Sequence, residues 1–381
     1  MKREVSIGVL ISAIALIGML SLSYVFPVIE EARARSEHAA DASTADSERT
    51  GAVADGVPLE TGDRVHGHEL AITAPHWYVT VHGDAGALAQ VFAIDGSGKV
   101  IGPVLGPLPA KEPPLSELRG MEILGNGFLA VMSAKSEATR VIVFGTPDER
   151  TGIRPYKATW IAGGEANPGM VHTYQIAVGP DGSLYASNQD TNTITRYHGL
   201  GSSNAGKPLP VASGLEGFGT LPPGTVVPNS QQSPEGLGLV RGFTFGPDNL
   251  LYVCDRERSR IAVHDPVTGR FIRSAMTSAD GLEHPIQAIF TADGRDLLVT
   301  DNKVNCVWKI VLETGKISHL VKPGEGGLSA ASSIAVRDHV LYVGSRLTKQ
   351  ILKFDSKKGH FLGVFAELPS NPEFFIPVSQ Q

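Results

Sequence analysis

The chain has 381 residues, 42% of them hydrophobic and 19% charged, a balance that fits a folded globular protein and excludes a disordered one. Its formal charge of -6, with no Lys/Arg cluster, excludes nucleic-acid binding through a basic face. Glycine (43) and proline (25) recur between short apolar runs, which predicts many strands and turns rather than long helices.

The N-terminus carries the first element. Lys2 and Arg3 precede an uncharged apolar run from Val5 to Ile29. Such a run is long enough for a helix to cross a bilayer, which takes ~20 residues, and longer than the ~7–15 of a signal-peptide core. Residues 1–29 are therefore expected to be a transmembrane signal-anchor helix with a cytoplasmic N-terminus, so that the rest of the protein is extracytoplasmic and single-pass at the cell membrane. Cleavage near Ala32-Arg33-Ala34 is the alternative and would give a secreted protein. Residues 30–64 are small, polar and charged, the composition of a flexible, disordered linker.

Residues 65–381 are repetitive. Four segments superpose by eye: "YQIAVGPDGSLYASNQDTNTITRYH", "RGFTFGPDNLLYVCDRERSRIAVHD", "QAIFTADGRDLLVTDNKVNCVWKIV" and "SSIAVRDHVLYVGSRLTKQILKFD". A fifth is "RGMEILGNGFLAVMSAKSEATRVIVFG", and a shorter unit begins at His76. Each reads as an alternating strand, a Gly/Asp/Asn turn, a second strand ending in a small polar residue, a loop and a third strand, with a fourth after the next turn. The second-strand ends, Ser133, Asn188, Asp255, Asp301 and Ser345, are spaced 55, 67, 46 and 44 residues apart. The shorter spacings match the ~40–50 residues of a propeller blade. The longer ones predict insertions around Thr151–Met170 and Gly199–Glu235. One small sheet cannot cover both of its own apolar faces, whereas neighbours in a ring can. The expected fold is all-β, a six-bladed β-propeller, with seven blades if the early region hides a degenerate unit.

The segment "GFTFGPDNLLYVCDRERSRIAVHD" resembles an NHL repeat, and its neighbours resemble looser copies over roughly Leu118 to Phe365. The chain is similar at this level to NHL proteins, gluconolactonase-type six-bladed hydrolases and streptogramin lyases. That resemblance implies the propeller and leaves activity open, because one fold hosts binding proteins and enzymes alike.

In a propeller the start of each first strand lies near one mouth of the channel, where several blades converge. Reading that column gives Arg119, Tyr174, Arg241, Gln287 and Ser332 as candidate ligand-binding residues. Two arginines there suit an anionic or carboxylate-bearing ligand. The bland alternative is a polar lining that only satisfies neighbouring carbonyls. Gluconolactonase-like families hold a divalent cation with acidic and amide residues at these positions. Arg241 and Gln287 depart from that, so no cofactor is expected, and a divalent cation would have to use Asn188, Asp255 and Asp301. His172 and His284, just ahead of first strands, are the candidate catalytic bases for a hydrolase or lyase reading. No nucleophile elbow, phosphate loop or zinc-helix motif is present in the chain. Cys254 and Cys306 are either buried thiols or a disulfide. The stretch from Gly214 to Leu239 is a candidate lid over the mouth, on adjacency to Arg241. The function expected is a tethered binding or interaction module for a small anionic ligand or a protein partner. An enzyme in the channel mouth is the alternative.

Overall fold

In the protein's structure, a computed structural model, residues 75–82 and 88–378 are described. The expected anchor (1–29) and linker (30–64) lie outside them. Among the described residues no helix is long and apolar enough to cross a membrane, and helical structure is limited to four three-residue 3-10 turns.

The chain forms six four-stranded antiparallel sheets. It opens with β1 (Trp77–Val81), β2 (Val91–Ile94) and β3 (Val100–Pro103) of blade 1. Blade 2 is β4 (Leu118–Ile123), β5 (Leu129–Ser133), β6 (Arg140–Phe144) and β7 (Tyr156–Ala162). Blade 3 is β8 (Thr173–Val178), β9 (Leu184–Asn188), β10 (Thr193–Tyr197) and β11 (Thr225–Val227). Blade 4 is β12 (Val240–Phe245), β13 (Leu251–Asp255), β14 (Arg260–His264) and β15 (Phe271–Met276). Blade 5 is β16 (Pro285–Phe290), β17 (Asp296–Asp301), β18 (Cys306–Val311) and β19 (Lys316–Val321). Blade 6 is β20 (Ala331–Arg337), β21 (Val340–Ser345), β22 (Gln350–Asp355) and β23 (Phe361–Glu367). The last strand, β24 (Pro372–Pro377), pairs with β1 and becomes the inner strand of blade 1. The inner strands β24, β4, β8, β12, β16 and β20 follow one another around the axis and close the ring.

The cores lie between blades, as the two-faced apolar pattern requires. Between blades 4 and 5, Tyr252, Cys254, Ile261 and Val263 pack on Ala288, Leu297, Val299 and Cys306. Both cysteines are buried free thiols in that cluster.

The repeat motif has a physical basis in each turn. Asp181 Oδ1 and Asp248 Oδ1 accept the backbone N–H two residues on, at 3.0 and 3.1 Å. Their Oδ2 atoms accept the hydroxyls of Tyr185 and Tyr252, at 3.2 and 2.8 Å. The glycine before each turn is required because the tyrosine ring lies over it. A Cβ on Gly246 would meet the Tyr252 ring at 2.6 Å.

Two expectations about the insertions change. Both contain the outer strands of their blades, β7 in the first and β11 in the second. β7 is an edge strand, half solvated over much of its length, and β11 is three buried residues, too short to show a period. The segment Gly214–Leu239 is not a lid. Gly214 N–H donates to Thr268 O (2.9 Å), at the turn between β14 and β15, and the chain then runs as β11 along the blade edge. It contributes no residue to the mouth cavity.

Candidate functional site: an arginine-lined mouth

The inner strands begin at one end of the channel, and the second strands finish there. A cavity of about 120 Å³ sits at that end, lined by Arg119, Tyr174, Gln189, Arg241, Arg256, Ile286, Asn302, Arg346 and Glu373. All six blades contribute. Its lining comes from two columns: the second position of five inner strands, and the residue just after the second strands β9, β13, β17 and β21.

Glu373, on β24, is 1% exposed and anchors one side. Arg119 Nη1 lies 2.9 Å from its Oε2, and Arg346 Nη2 lies 2.5 Å from its Oε1. His82 Nδ1 is 3.3 Å from both Glu373 Oε1 and Arg119 Nη1. Burial pushes the Glu373 carboxyl up, but the His82 hydrogen bond and the Arg119 and Arg346 charges outweigh it and hold the group below its usual range. The Nε–H groups of Arg119 and Arg346 are buried with no acceptor.

The other side is cationic without compensation. Among the described residues neither Arg241 nor Arg256 has a carboxylate partner. Arg241 Nη1 donates to Gln189 Oε1 and to Val240 O (3.2 Å), and its guanidinium lies 5.4 Å from the Tyr174 ring centroid. Burial lowers Arg241 to about 10, with the like charges of Arg256 and Arg119 adding to the shift, so it remains charged at neutral pH. Burial pushes the Tyr174 phenol up to about 12, helped by the Glu373 charge, so it keeps its proton. Arg256 Nη2 lies 3.4 Å from His284 Nδ1. Four guanidinium groups thus face one carboxylate, and the resulting field favours an anion over a cation.

Of the column read from sequence, Arg119, Tyr174 and Arg241 meet here. Gln287 and Ser332 do not. Pairing of Pro285 with Asp301, as Val240 pairs with Asp255, puts Ile286 in register with Arg241. Gln287 therefore points to the other face, where its Oε1 accepts the Ile334 N–H at 2.8 Å and ties blade 5 to blade 6. Ser332 holds the right register but is fully buried, its hydroxyl within 3.2 Å of Gly344 O and Pro372 O.

The residues weighed for a cation are spent on loops. Asp255 accepts the Gly238 and Leu239 N–H groups and pairs with Arg260 Nε at 3.0 Å. Asp301 accepts the N–H groups of Glu283, His284, Lys303 and Val304. Asn188 bonds Thr173 and Thr195 hydroxyls, at 2.7 and 2.9 Å. Each serves its own blade, and among the described residues no three His, Cys, Asp or Glu side chains group to hold a metal. These residues do not fit a divalent cation.

Both candidate histidines stand at the rim of this mouth, each in a pair. His172 Nδ1 is 2.9 Å from Asp190 Oδ1, and its Nε2 is 3.3 Å from Glu117 Oε2. His284 is lowered by partial burial and then by the Arg256 charge. Among the described residues the side-chain ring partners of His172 and His284 are carboxylates and a guanidinium, while the His172 backbone N–H donates to the Thr139 hydroxyl at 3.0 Å.

Sequence reasoning missed Glu373, Arg256, Arg346, Gln189 and Asn302. The second-strand marks were one residue early, since each mark turns inward to its loop while the next side chain faces the axis. Counting from the turn aspartate would also have corrected Gln287: Arg241 to Asp248 and Tyr174 to Asp181 are seven residues, as is Ile286 to Asp293.

The chain is a six-bladed β-propeller. No protein family model matches it, and no curated protein matches it in sequence. Among solved structures it is similar to a protein of unknown function from Bacteroides caccae, at 14% identity over 81% of this chain and 100% of that one, with a TM-score of 0.50. A chain of a nidogen/laminin complex is similar at 13% identity over 79% and 97%, with a TM-score of 0.52. Virginiamycin B lyase from Staphylococcus aureus is similar at 14% over 81% and 85%, with a TM-score of 0.47. At these identities the likeness is one of fold.

Proposed function

We propose that this protein is an extracytoplasmic, membrane-tethered propeller of NHL-like repeats that binds a small anionic ligand, or an anionic group of a protein partner, at the arginine-lined mouth. The observation that carries the reading is the cationic excess there, with Arg241 and Arg256 unpaired by any carboxylate among the described residues. Keeping such charges close and partly desolvated costs stability, and an arriving anion offsets that cost. Turnover at the mouth is the alternative, with His172, set between Asp190 and Glu117, as its base. The tether rests on the uncharged run from Val5 to Ile29 behind Lys2 and Arg3.

Calorimetric titration of the full chain at low salt with small anions tests the mouth. Saturable binding that Arg241→Ala weakens at least tenfold, without lowering the melting temperature, is the expected result. Binding indifferent to Arg241→Ala would overturn the assignment. For the tether, the protein should stay with membranes through alkaline extraction, and release into the wash would refute it.

A further inference from the structure

We infer that the mouth selects a dianionic tetrahedral oxyanion, the chemistry of a phosphate group, over a planar carboxylate; this rests on the anion-binding reading above. Three features of the site lead there. The first is direction. A carboxylate presents two oxygens in one plane, and its partners approach near that plane. Here Arg119 comes from blade 2, Arg241 and Arg256 from blade 4 and Arg346 from blade 6, with the Tyr174 phenol from blade 3 and Asn302 from blade 5. Donors that converge around an axis match oxygens that diverge in three dimensions.

The second feature is charge. Four guanidinium groups against Glu373 leave three positive charges in excess, more than a monoanion neutralises. The third is the scarcity of acceptors. Glu373 is taken up by Arg119, Arg346 and His82, and Gln189 Oε1 by Arg241. A ligand that must donate several hydrogen bonds finds only Asn302 Oδ1 and the Tyr174 hydroxyl, whereas sulfate or the dianion of a phosphate monoester, made only of acceptor oxygens, finds many donors, and hydrogen phosphate has a single O–H to place. Size agrees. At about 30 Å³ per water, a cavity of about 120 Å³ holds roughly four waters, or one group of about five heavy atoms. A larger molecule would place its phosphate here and leave its remainder outside the opening.

Calorimetry with the full chain tests this, using inorganic phosphate, phenyl phosphate, sulfate, acetate and malonate. Phosphate and sulfate should bind at pH 7.5 at least tenfold more tightly than acetate or malonate. Phenyl phosphate affinity should fall about tenfold between pH 7.5 and pH 5, because the second ionisation of a phosphate monoester lies at ~6, and inorganic phosphate, which ionises at higher pH, should lose more, while sulfate should hold steady. Sulfate also reports any titration of His82, His284 or Glu373 around the mouth, since its own charge is fixed. Arg256→Ala should weaken both oxyanions at least tenfold without lowering the melting temperature. Phenyl phosphate binding as well as inorganic phosphate would assign the group to a larger molecule, and binding of inorganic phosphate alone would assign it to the free ion. If malonate or acetate binds more tightly than phosphate, the tetrahedral preference is wrong while the anion site stands. Equal phosphate affinity at both pH values, with sulfate steady, removes the dianion preference. If none of the five binds at millimolar concentration, both readings fail together.

Discussion

The two ends of the channel are made from the same six inner strands, yet they differ in kind. At the mouth, strand starts carry Glu373, Arg119, Tyr174 and Arg241. At the far end a cavity of about 330 Å³ is lined mostly by apolar residues of β16, β20 and β24, among them Ile289, Phe290, Ile334 and Phe375, with Gln287 as its one polar side chain. Two carboxylates on inner strands register the contrast. Glu373 at the mouth is nearly inaccessible but held low by its cationic partners. Glu122, toward the far end of β4, has no side-chain partner among the described residues, and burial alone raises it to about 7. Burial penalises both; only the first is offset. The comparison shows that charge at the mouth is sustained by mutual pairing, and that the surplus arginines are what remains available to a ligand.

The largest expected effect comes from breaking the mouth's central pair. Glu373→Ala leaves Arg119 and Arg346 facing each other and should cost about 3–5 kcal/mol in chemical denaturation, the range for removing one partner of a buried ion pair. The wild-type Glu373 carboxyl is depressed in the folded state. Its contribution is therefore full above the unfolded value near ~4.3 and is lost as pH falls through the lower folded value. An acid titration of stability in which Glu373→Gln retains the wild-type slope in that window would argue against the pairing.

Next is the ligand end itself. Arg241→Ala should lower anion affinity by about 10- to 150-fold, the equivalent of ~1.5–3 kcal/mol for a charged hydrogen bond, with little change in the denaturation midpoint. Affinity that survives would move the site away from this mouth.

A backbone constraint between the two ends should show a smaller loss. A Cβ on Gly120 would meet Gln175 Cα at 2.8 Å and Ile176 N at 2.9 Å, where β4 passes β8. Gly120→Ala should destabilise the ring by about 1–3 kcal/mol, seen as a lower midpoint. A neutral outcome would mean that the inner strands are less closely set than described.

The smallest change is at Glu122. Its folded value is raised, so its carboxyl destabilises the fold progressively as pH climbs from the ordinary range through about 7. Glu122→Gln should equal wild type at pH 4 and be the more stable protein at pH 8. The opposite order would erase the contrast with Glu373.

Much of the wheel was legible in the chain. The turn aspartates, the tyrosines that reach back to them and the 46- and 44-residue echoes are local features, fixed by one strand and its turn. Arg119, Tyr174 and Arg241 were legible for the same reason, as a constant distance from those turns. The error at Gln287 came from a first strand whose turn, "TADG", lacks the glycine-proline step that marks its neighbours. A slip of one residue in a strand exchanges faces, so an axis-facing site became a tie between blades. Outer strands β7 and β11 hid within apparent insertions because β7 is partly solvated and need not alternate, and β11 has only three residues.

By itself, then, the sequence determined the blades, their repeat and half of the arginines, since these follow from the period-two pattern and turn chemistry inside each unit. Only the tertiary structure decided that β24 returns to complete blade 1 and brings Glu373 beside Arg119, 254 positions earlier in the chain. It also decided that Arg256 and Arg346 face the axis. Those placements depend on ring closure, where residues remote in the chain meet because six sheets share one centre, and no local spacing encodes that meeting.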